Sequence, residues 1–61
     1  MTLANIIDKL EGRITVTDSS DNVLFDGFTA FTARNIPEYM ENEIGAIEAE
    51  GNQLKVWLWS K

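Results

Sequence analysis

The stretch IGAIEAEGNQLKVWLWS, residues 44–60, contains the clearest pair of strands in this chain. Apolar and polar residues alternate in both halves, and the Gly-Asn pair at 51–52 between them fits a two-residue type II′ turn. We therefore predict a hairpin of strands 44–49 and 53–60. The turn sets these residues opposite each other: Glu50 and Gln53, Ala49 and Leu54, Glu48 and Lys55, Ile47 and Val56, Ala46 and Trp57, Ile44 and Trp59. The opposite charges of Glu48 and Lys55 support this register, because like charges facing across strands would destabilise it.

A second hairpin is predicted upstream of the first. Residues 13–17 alternate, a polar cluster at 18–22 forms the turn, and residues 23–30 form the second strand. Placing Asp18 opposite Val23 sets the faces of the hairpin, because successive side chains point to opposite sides of a sheet. One face then carries Ile14, Val16, Val23 and Phe25, and the other carries Arg13, Thr15, Thr17, Leu24, Asp26 and Phe28.

Two helices are predicted beside the strands. An apolar stripe at i, i+3, i+4 and i+7 predicts a helix over 3–11, which begins after Thr2 as N-cap and ends at Gly12. Pro37 suits the first turn of a helix, so residues 37–43 are predicted as a short helix with Ile36, Tyr39 and Met40 as its apolar anchors.

These elements predict one α+β domain over residues 1–61. Its sheet has four mainly antiparallel strands from the two hairpins, with the first helix on one face and the short helix between the hairpins. The predicted core contains Leu3, Ile6, Ile7, Leu10, Ile14, Val16, Phe25, Ile47, Ala49, Leu54, Val56 and Leu58.

The composition excludes several classes of function. The chain has no Cys and no His, so it lacks disulfides, thiolate or imidazole metal ligands, and the bases that usually activate a nucleophile. A chain of 61 residues with one core also leaves little room for the cleft that acid–base catalysis needs. We expect a non-enzymatic protein without cofactor, metal or small-molecule substrate.

Charge and hydropathy bound the partners and the compartment. The formal charge of −5 opposes direct binding to nucleic-acid phosphates and to anionic lipid. No apolar run approaches the length of a membrane span, and the N-terminal residues lack the pattern of a signal peptide. We expect a cytoplasmic protein.

The turn at 18–22 has oxygen-bearing side chains at alternate positions, as a calcium loop has. It lacks two required residues, because Val23 stands where the sharp-turn Gly belongs and Thr29 where the bidentate Glu belongs. We interpret it as a polar turn whose side chains bond to local amides.

Aromatic residues on the second face of the sheet are the main candidates for function. The two registers direct Trp57, Trp59, Phe28, Leu24, Ile44 and Ala46 away from the first helix. Either the helix at 37–43 covers them, or they form a contact surface for a protein partner or a second copy, since Trp and Tyr dominate binding hot spots. The predicted protein-binding residues are Trp57, Trp59, Phe28, Leu24, Ile44 and Tyr39.

The acidic side chains favour a second hypothesis. The residues Glu38, Glu41, Glu43, Glu48 and Glu50 are close in sequence, and an acidic protein can imitate nucleic-acid phosphates on a nucleic-acid-binding partner. A solvated acidic surface explains the same residues without any partner.

The segments ITVTD at 14–18, NVLFDG at 22–27 and IEAEGNQLKV at 47–56 resemble those of small uncharacterised proteins of Gram-positive bacteria, their prophages and mobile elements. The resemblance implies a helix, a hairpin, a Pro-started short helix and a second hairpin. It also implies an accessory or regulatory protein of a mobile element, with no active residues to carry over. Trp57 and Trp59 do not match that pattern.

Overall fold

The computed structural model describes residues 1–59 and has the predicted α+β architecture. The helices are α1, Leu3–Ile7, and α2, Thr32–Asn35, with 3₁₀ turns at Thr29–Phe31 and Pro37–Tyr39. The strands are β1, Arg13–Thr17; β2, Val23–Phe28; β3, Ile44–Glu50; and β4, Gln53–Leu58. Ser60, the predicted end of the last strand, lies outside the described residues.

The four strands form one sheet in the order β2-β1-β4-β3. Both hairpins are antiparallel, but β1 and β4 pair in parallel at the centre, so the sheet is mixed. The central strands are covered on both sides and carry the fully buried side chains Ile14, Val16, Val56 and Leu58.

The helical segments lie on one face of the sheet. Leu3 of α1 and Ile36, which follows α2, complete the buried core on this face. The predicted core is wrong at the edge strand, because Ile47 is 46% exposed and Ala49 is also exposed. β3 lies beyond the short helices, so residues 1–59 cover the apolar side of its outer half only in part.

The first helix is shorter than predicted and ends at Ile7. Lys9 N–H donates to the Ile6 carbonyl at 2.9 Å, so the chain tightens into a turn after the helix. Beyond this turn, the Thr29 hydroxyl donates a hydrogen bond to the Leu10 carbonyl at 3.1 Å. Gly12 ends this segment with φ of +96°, the left-handed conformation predicted for it.

The segment between the hairpins is helical earlier than predicted. The strand ends at Phe28 rather than at residue 30, residues 29–35 are helical, and the predicted helix 37–43 is only the 3₁₀ turn Pro37–Tyr39. The buried residues Thr29, Thr32 and Ile36 follow helical spacing. Two of these three residues are Thr, so an apolar stripe is not visible in the sequence.

Two β-bulges correct the predicted faces. Val16 pairs with Phe25 as predicted, but Thr17 pairs with Val23, which leaves Leu24 unpaired and packed against the core. Val23 is consequently 62% exposed. An extra residue in one strand shifts the alternation that follows it.

The second bulge lies at Gly45 in β3. The pairs from Ala46–Trp57 to Glu50–Gln53 confirm the predicted register, but Ile44 pairs with Leu58 instead of Trp59 and packs against the core. The turn also agrees with the prediction, since Gly51 has φ of +60° and the following residue has a negative φ.

Candidate interaction surface

Trp59 is the most exposed of the predicted binding residues, with 61% of its surface accessible. Its backbone N–H donates to the Glu43 carbonyl at 2.9 Å, which holds it beside the start of β3. The indole lies over Gly45, where a Cβ atom would stand 3.3 Å from Nε1. The missing side chain of Gly45 therefore leaves room for the ring, and Trp59 lines two neighbouring clefts.

Trp57 is half-buried, and its side chain covers part of the second face of the sheet. Its indole N–H donates to Asp21 Oδ1 at 3.2 Å, and Lys55 Nζ lies 4.7 Å from the ring centroid. Lys55 also approaches Asp21 Oδ1 at 3.4 Å, although Glu48 is its neighbour across the strands. Thr17, which pairs with Trp57 across the parallel strands, is fully buried.

The rest of the second face is a polar network across the strands. Gln53 Nε2 donates to Thr15 Oγ1 at 2.9 Å, and the Thr15 hydroxyl donates to Asp26 Oδ1 at 3.2 Å. Arg13 Nη2 lies 3.8 Å from the same carboxylate oxygen. These long side chains leave Thr15 only 9% exposed although no helix covers it.

The turn at 18–22 binds its own amides, as predicted. The Asp18 carboxylate accepts hydrogen bonds from the Ser20 N–H at 2.9 Å, the Asn22 N–H at 2.9 Å and Asn22 Nδ2 at 3.1 Å. The Asn22 backbone, followed by its side chain, holds the pKa of Asp18 below its ordinary value. Asp21 takes a left-handed conformation with φ of +66° in the same turn, from which its carboxylate reaches the second face.

The remaining predicted binding residues do not join the two Trp residues. Leu24, Ile44 and Tyr39 pack against the core, and the first two are placed there by the bulges. Phe28 is 52% exposed, but it pairs with Arg13 at the diagonally opposite corner of the sheet from Trp59.

That opposite corner contains a feature which the sequence analysis missed. Phe28 meets Phe31 edge to face at 6.5 Å, and Arg13 lies 5.2 Å from the Phe28 ring centroid. Both rings line an open groove of about 650 Å³ beside the end of α1. Helical spacing between the two rings becomes recognisable only once residues 29–35 are known to be helical.

The acidic residues of the second hypothesis are divided between the two parts of the chain around Ile44. Glu38 and Glu41 are exposed before β3, while Glu48 and Glu50 are exposed along it. Glu43 Oε2 accepts a hydrogen bond from the Met1 ammonium at 2.8 Å.

In the part of the chain that the structure describes, no group of three or more Asp or Glu side chains is placed to hold a metal ion. None of the helices within residues 1–59 has the length and apolar character to span a membrane. Comparisons with protein-family models, curated proteins and solved structures found no match to this chain.

Proposed function

We propose that this protein is a non-enzymatic interaction module that binds a protein partner, or a second copy, through the corner around Trp59. The proposal depends on Trp59, because 61% of its surface is exposed while its indole packs over Gly45. A large aromatic ring that is already fixed in place loses little side-chain entropy on binding, which is why Trp is enriched in hot spots. The accessory or regulatory role in a phage or mobile element, and the cytoplasmic location, remain part of this hypothesis.

The test compares Trp59→Ser with Phe31→Ser, an exposed aromatic residue at the opposite corner with 47% exposure. Sedimentation measures self-association, and titration of a partner captured from the source cell measures binding to another protein. We expect Trp59→Ser to weaken association by at least about 2 kcal/mol, or roughly thirtyfold, and Phe31→Ser to leave it unchanged. Equal affinity of Trp59→Ser and wild type for every captured partner and for itself would overturn the proposal.

A second candidate function is an acidic inhibitor that occupies the nucleic-acid-binding groove of its partner. The exposed Glu41, Glu48 and Glu50 on the β3 side of the molecule favour it. Salt separates the two functions, because a mimic of phosphates loses affinity steeply as salt is added, whereas the affinity contributed by the Trp59 ring does not depend on salt.

A further inference from the structure

The outer edge of β3 is open to a further strand. β3 is the last strand in the sheet order, and all of its residues except Ile44 are exposed. It contains neither the Lys nor the Pro that often protects an edge strand from pairing. Within residues 1–59, the only backbone paired with this edge is that of the N-terminal residues.

The N-terminal residues demonstrate that this edge accepts an antiparallel strand. Thr2 lies opposite Glu43 in a β-bridge, and the Ile44 N–H donates to the Met1 carbonyl at 2.8 Å. Helix α1 then begins at Leu3 and carries the chain onto the core face. The pairing therefore stops at the first residue of β3, and the edge beyond it stays uncovered.

The backbone groups of the uncovered edge point outward at alternate residues. Glu50 and Gln53 close a two-residue turn, so Glu50 directs its N–H and C=O towards β4. Alternation then directs the N–H and C=O groups of Ile47 and Ala49 away from β4. Such groups are the template for strand addition by a peptide.

The side chains along the edge differ between its two sides. Glu48 and Glu50 lie on the second face, are exposed, and form no ion pair with any residue in 1–59. Ile47 and Ala49 lie on the core face, where the 46% exposure of Ile47 leaves apolar surface in water. The complementary strand therefore has basic side chains on one side and apolar side chains on the other.

We propose that the edge of β3 from Ala46 to Glu50 binds an extended segment of a partner protein in which basic and apolar residues alternate. Its basic side chains pair with Glu48 and Glu50, and its apolar side chains pack on Ile47. This inference rests on the interaction role proposed above and specifies the chemistry of the partner. Trp59 lies over Gly45, directly before Ala46 at the start of this edge, and extends the same surface.

A second copy of the chain fits this edge poorly. Pairing two β3 edges would bring the Glu48 and Glu50 carboxylates of both copies along one seam, where like charges destabilise the pairing. The net charge of −5 adds a long-range repulsion between copies.

The probe is a short synthetic peptide in which Lys and Val alternate. It contains no Trp, so the fluorescence of the protein reports binding and calorimetry gives the affinity. A control peptide of the same composition has its Lys residues grouped together and its Val residues grouped together. We expect the alternating peptide to bind at least about tenfold more tightly, because only it can pair both sides of the edge at once.

Ala49→Pro tests the backbone contact. It removes an outward N–H without removing a β3–β4 hydrogen bond, which is the position where an edge strand tolerates Pro. We expect a melting temperature close to that of wild type and about tenfold weaker peptide binding. If this variant does not fold, a peptide with N-methylated backbone amides removes the donors from the other strand, and we expect the same loss with the wild-type protein.

Glu48→Gln tests the charge contact against Glu38→Gln, which makes the same change of charge in the 3₁₀ turn. We expect Glu48→Gln to weaken peptide binding by up to about fivefold and Glu38→Gln to leave peptide binding unchanged. Equal binding of both peptides, or unchanged binding with both Ala49→Pro and the N-methylated peptide, overturns strand addition. The contact would then be one of charge alone.

Two further outcomes separate this inference from the proposed function. A concentration-dependent dimer that Ala49→Pro abolishes would identify a second copy as the occupant and overturn the choice of a basic segment. If a captured partner needs Trp59 but is indifferent to Ala49→Pro, strand addition fails and the interaction role stands. If the peptide needs the Ala49 N–H while Trp59→Ser changes no binding, the edge site stands and the role of Trp59 fails.

Discussion

The two faces of the sheet exclude water in different ways. On the core face, helical segments cover the central strands, and Ile14, Val16 and Val56 have no accessible surface. On the second face no helix is present within residues 1–59, yet Thr17 is equally inaccessible. There the cover consists of the sheet's own long side chains, above all Trp57 and Lys55.

This difference follows from the length of the chain. A chain of 61 residues buries only a limited share of its surface, and its short helical segments lie on one side of the four-stranded sheet. Lys and Trp side chains can instead lay their apolar portions over the strands and keep their polar ends in water or in hydrogen bonds. The cover is incomplete at the corner of Trp59 and at the edge of β3, and both proposed contacts lie there.

The largest expected effect is on the core face. Leu58→Ala removes a side chain of the buried core that is only 1% exposed. We expect a loss of about 2 to 5 kcal/mol in the free energy of unfolding, enough to unfold much of a domain with so little margin. Urea unfolding followed by circular dichroism measures it. Ile47→Ala is the control, and a loss as large as that of Leu58→Ala would contradict the open edge.

The C-terminal hairpin of β3 and β4 could be predicted from the sequence because the alternation of its strands and the residues of its turn indicate the same register. Alternation on both sides of the Gly-Asn pair at 51–52 fixes the register from Ala46 to Glu50, and the structure has these pairs. The bulges at Leu24 and Gly45 could not be predicted in this way. They depend on what the extra residue packs against, and that is set by residues distant in the sequence.

The same limit applies to the candidate site. The sequence did not decide whether the segment at 37–43 covers Trp59, and the partial burial of Trp57 involves Asp21, which reaches it from a turn 36 positions earlier in the chain. The helical segment after Phe28 was missed because its buried positions 29 and 32 are Thr. A buried Thr hydroxyl bonds to backbone carbonyls there, so a polar residue serves the core where the periodicity rule expects an apolar one.

An intermediate effect is expected from Trp57→Ser on the second face. The change removes the ring that covers Thr17, the hydrogen bond to Asp21 and the contact with Lys55. We expect a loss of about 1 to 3 kcal/mol, below the value for a fully buried Trp because this ring keeps one side in water. Trp59→Ser should change stability by no more than about 0.5 kcal/mol. Thermal melting of both variants measures the two losses of stability. Equal losses for Trp57→Ser and Trp59→Ser would mean that the two rings are buried to the same extent.

The smallest effect concerns the turn that holds Asp21 over the second face. The Asp18 carboxylate is fixed by the Asn22 and Ser20 amides, and these bonds lower its pKa in the folded protein. A carboxyl group whose pKa is lowered on folding stabilises the folded state at pH values above its unfolded pKa, and this stabilisation is lost as the pH falls through the folded pKa. Asn in its place keeps an acceptor oxygen but cannot ionise.

We therefore expect wild type to be more stable than Asp18→Asn near neutral pH, and the difference to shrink as the pH falls below about 4. Melting temperatures of both proteins across this range measure the difference. Asp8→Asn makes the same change of charge outside the turn and corrects for the effect of net charge. A difference that stays constant with pH, after this correction, would mean that the ionised carboxylate does not hold the turn. Because Asp21 reaches Trp57 from the same turn, loss of the Asp18 bonds should also loosen the cover of the second face. A change in Trp fluorescence in step with the pH-dependent difference would connect the two.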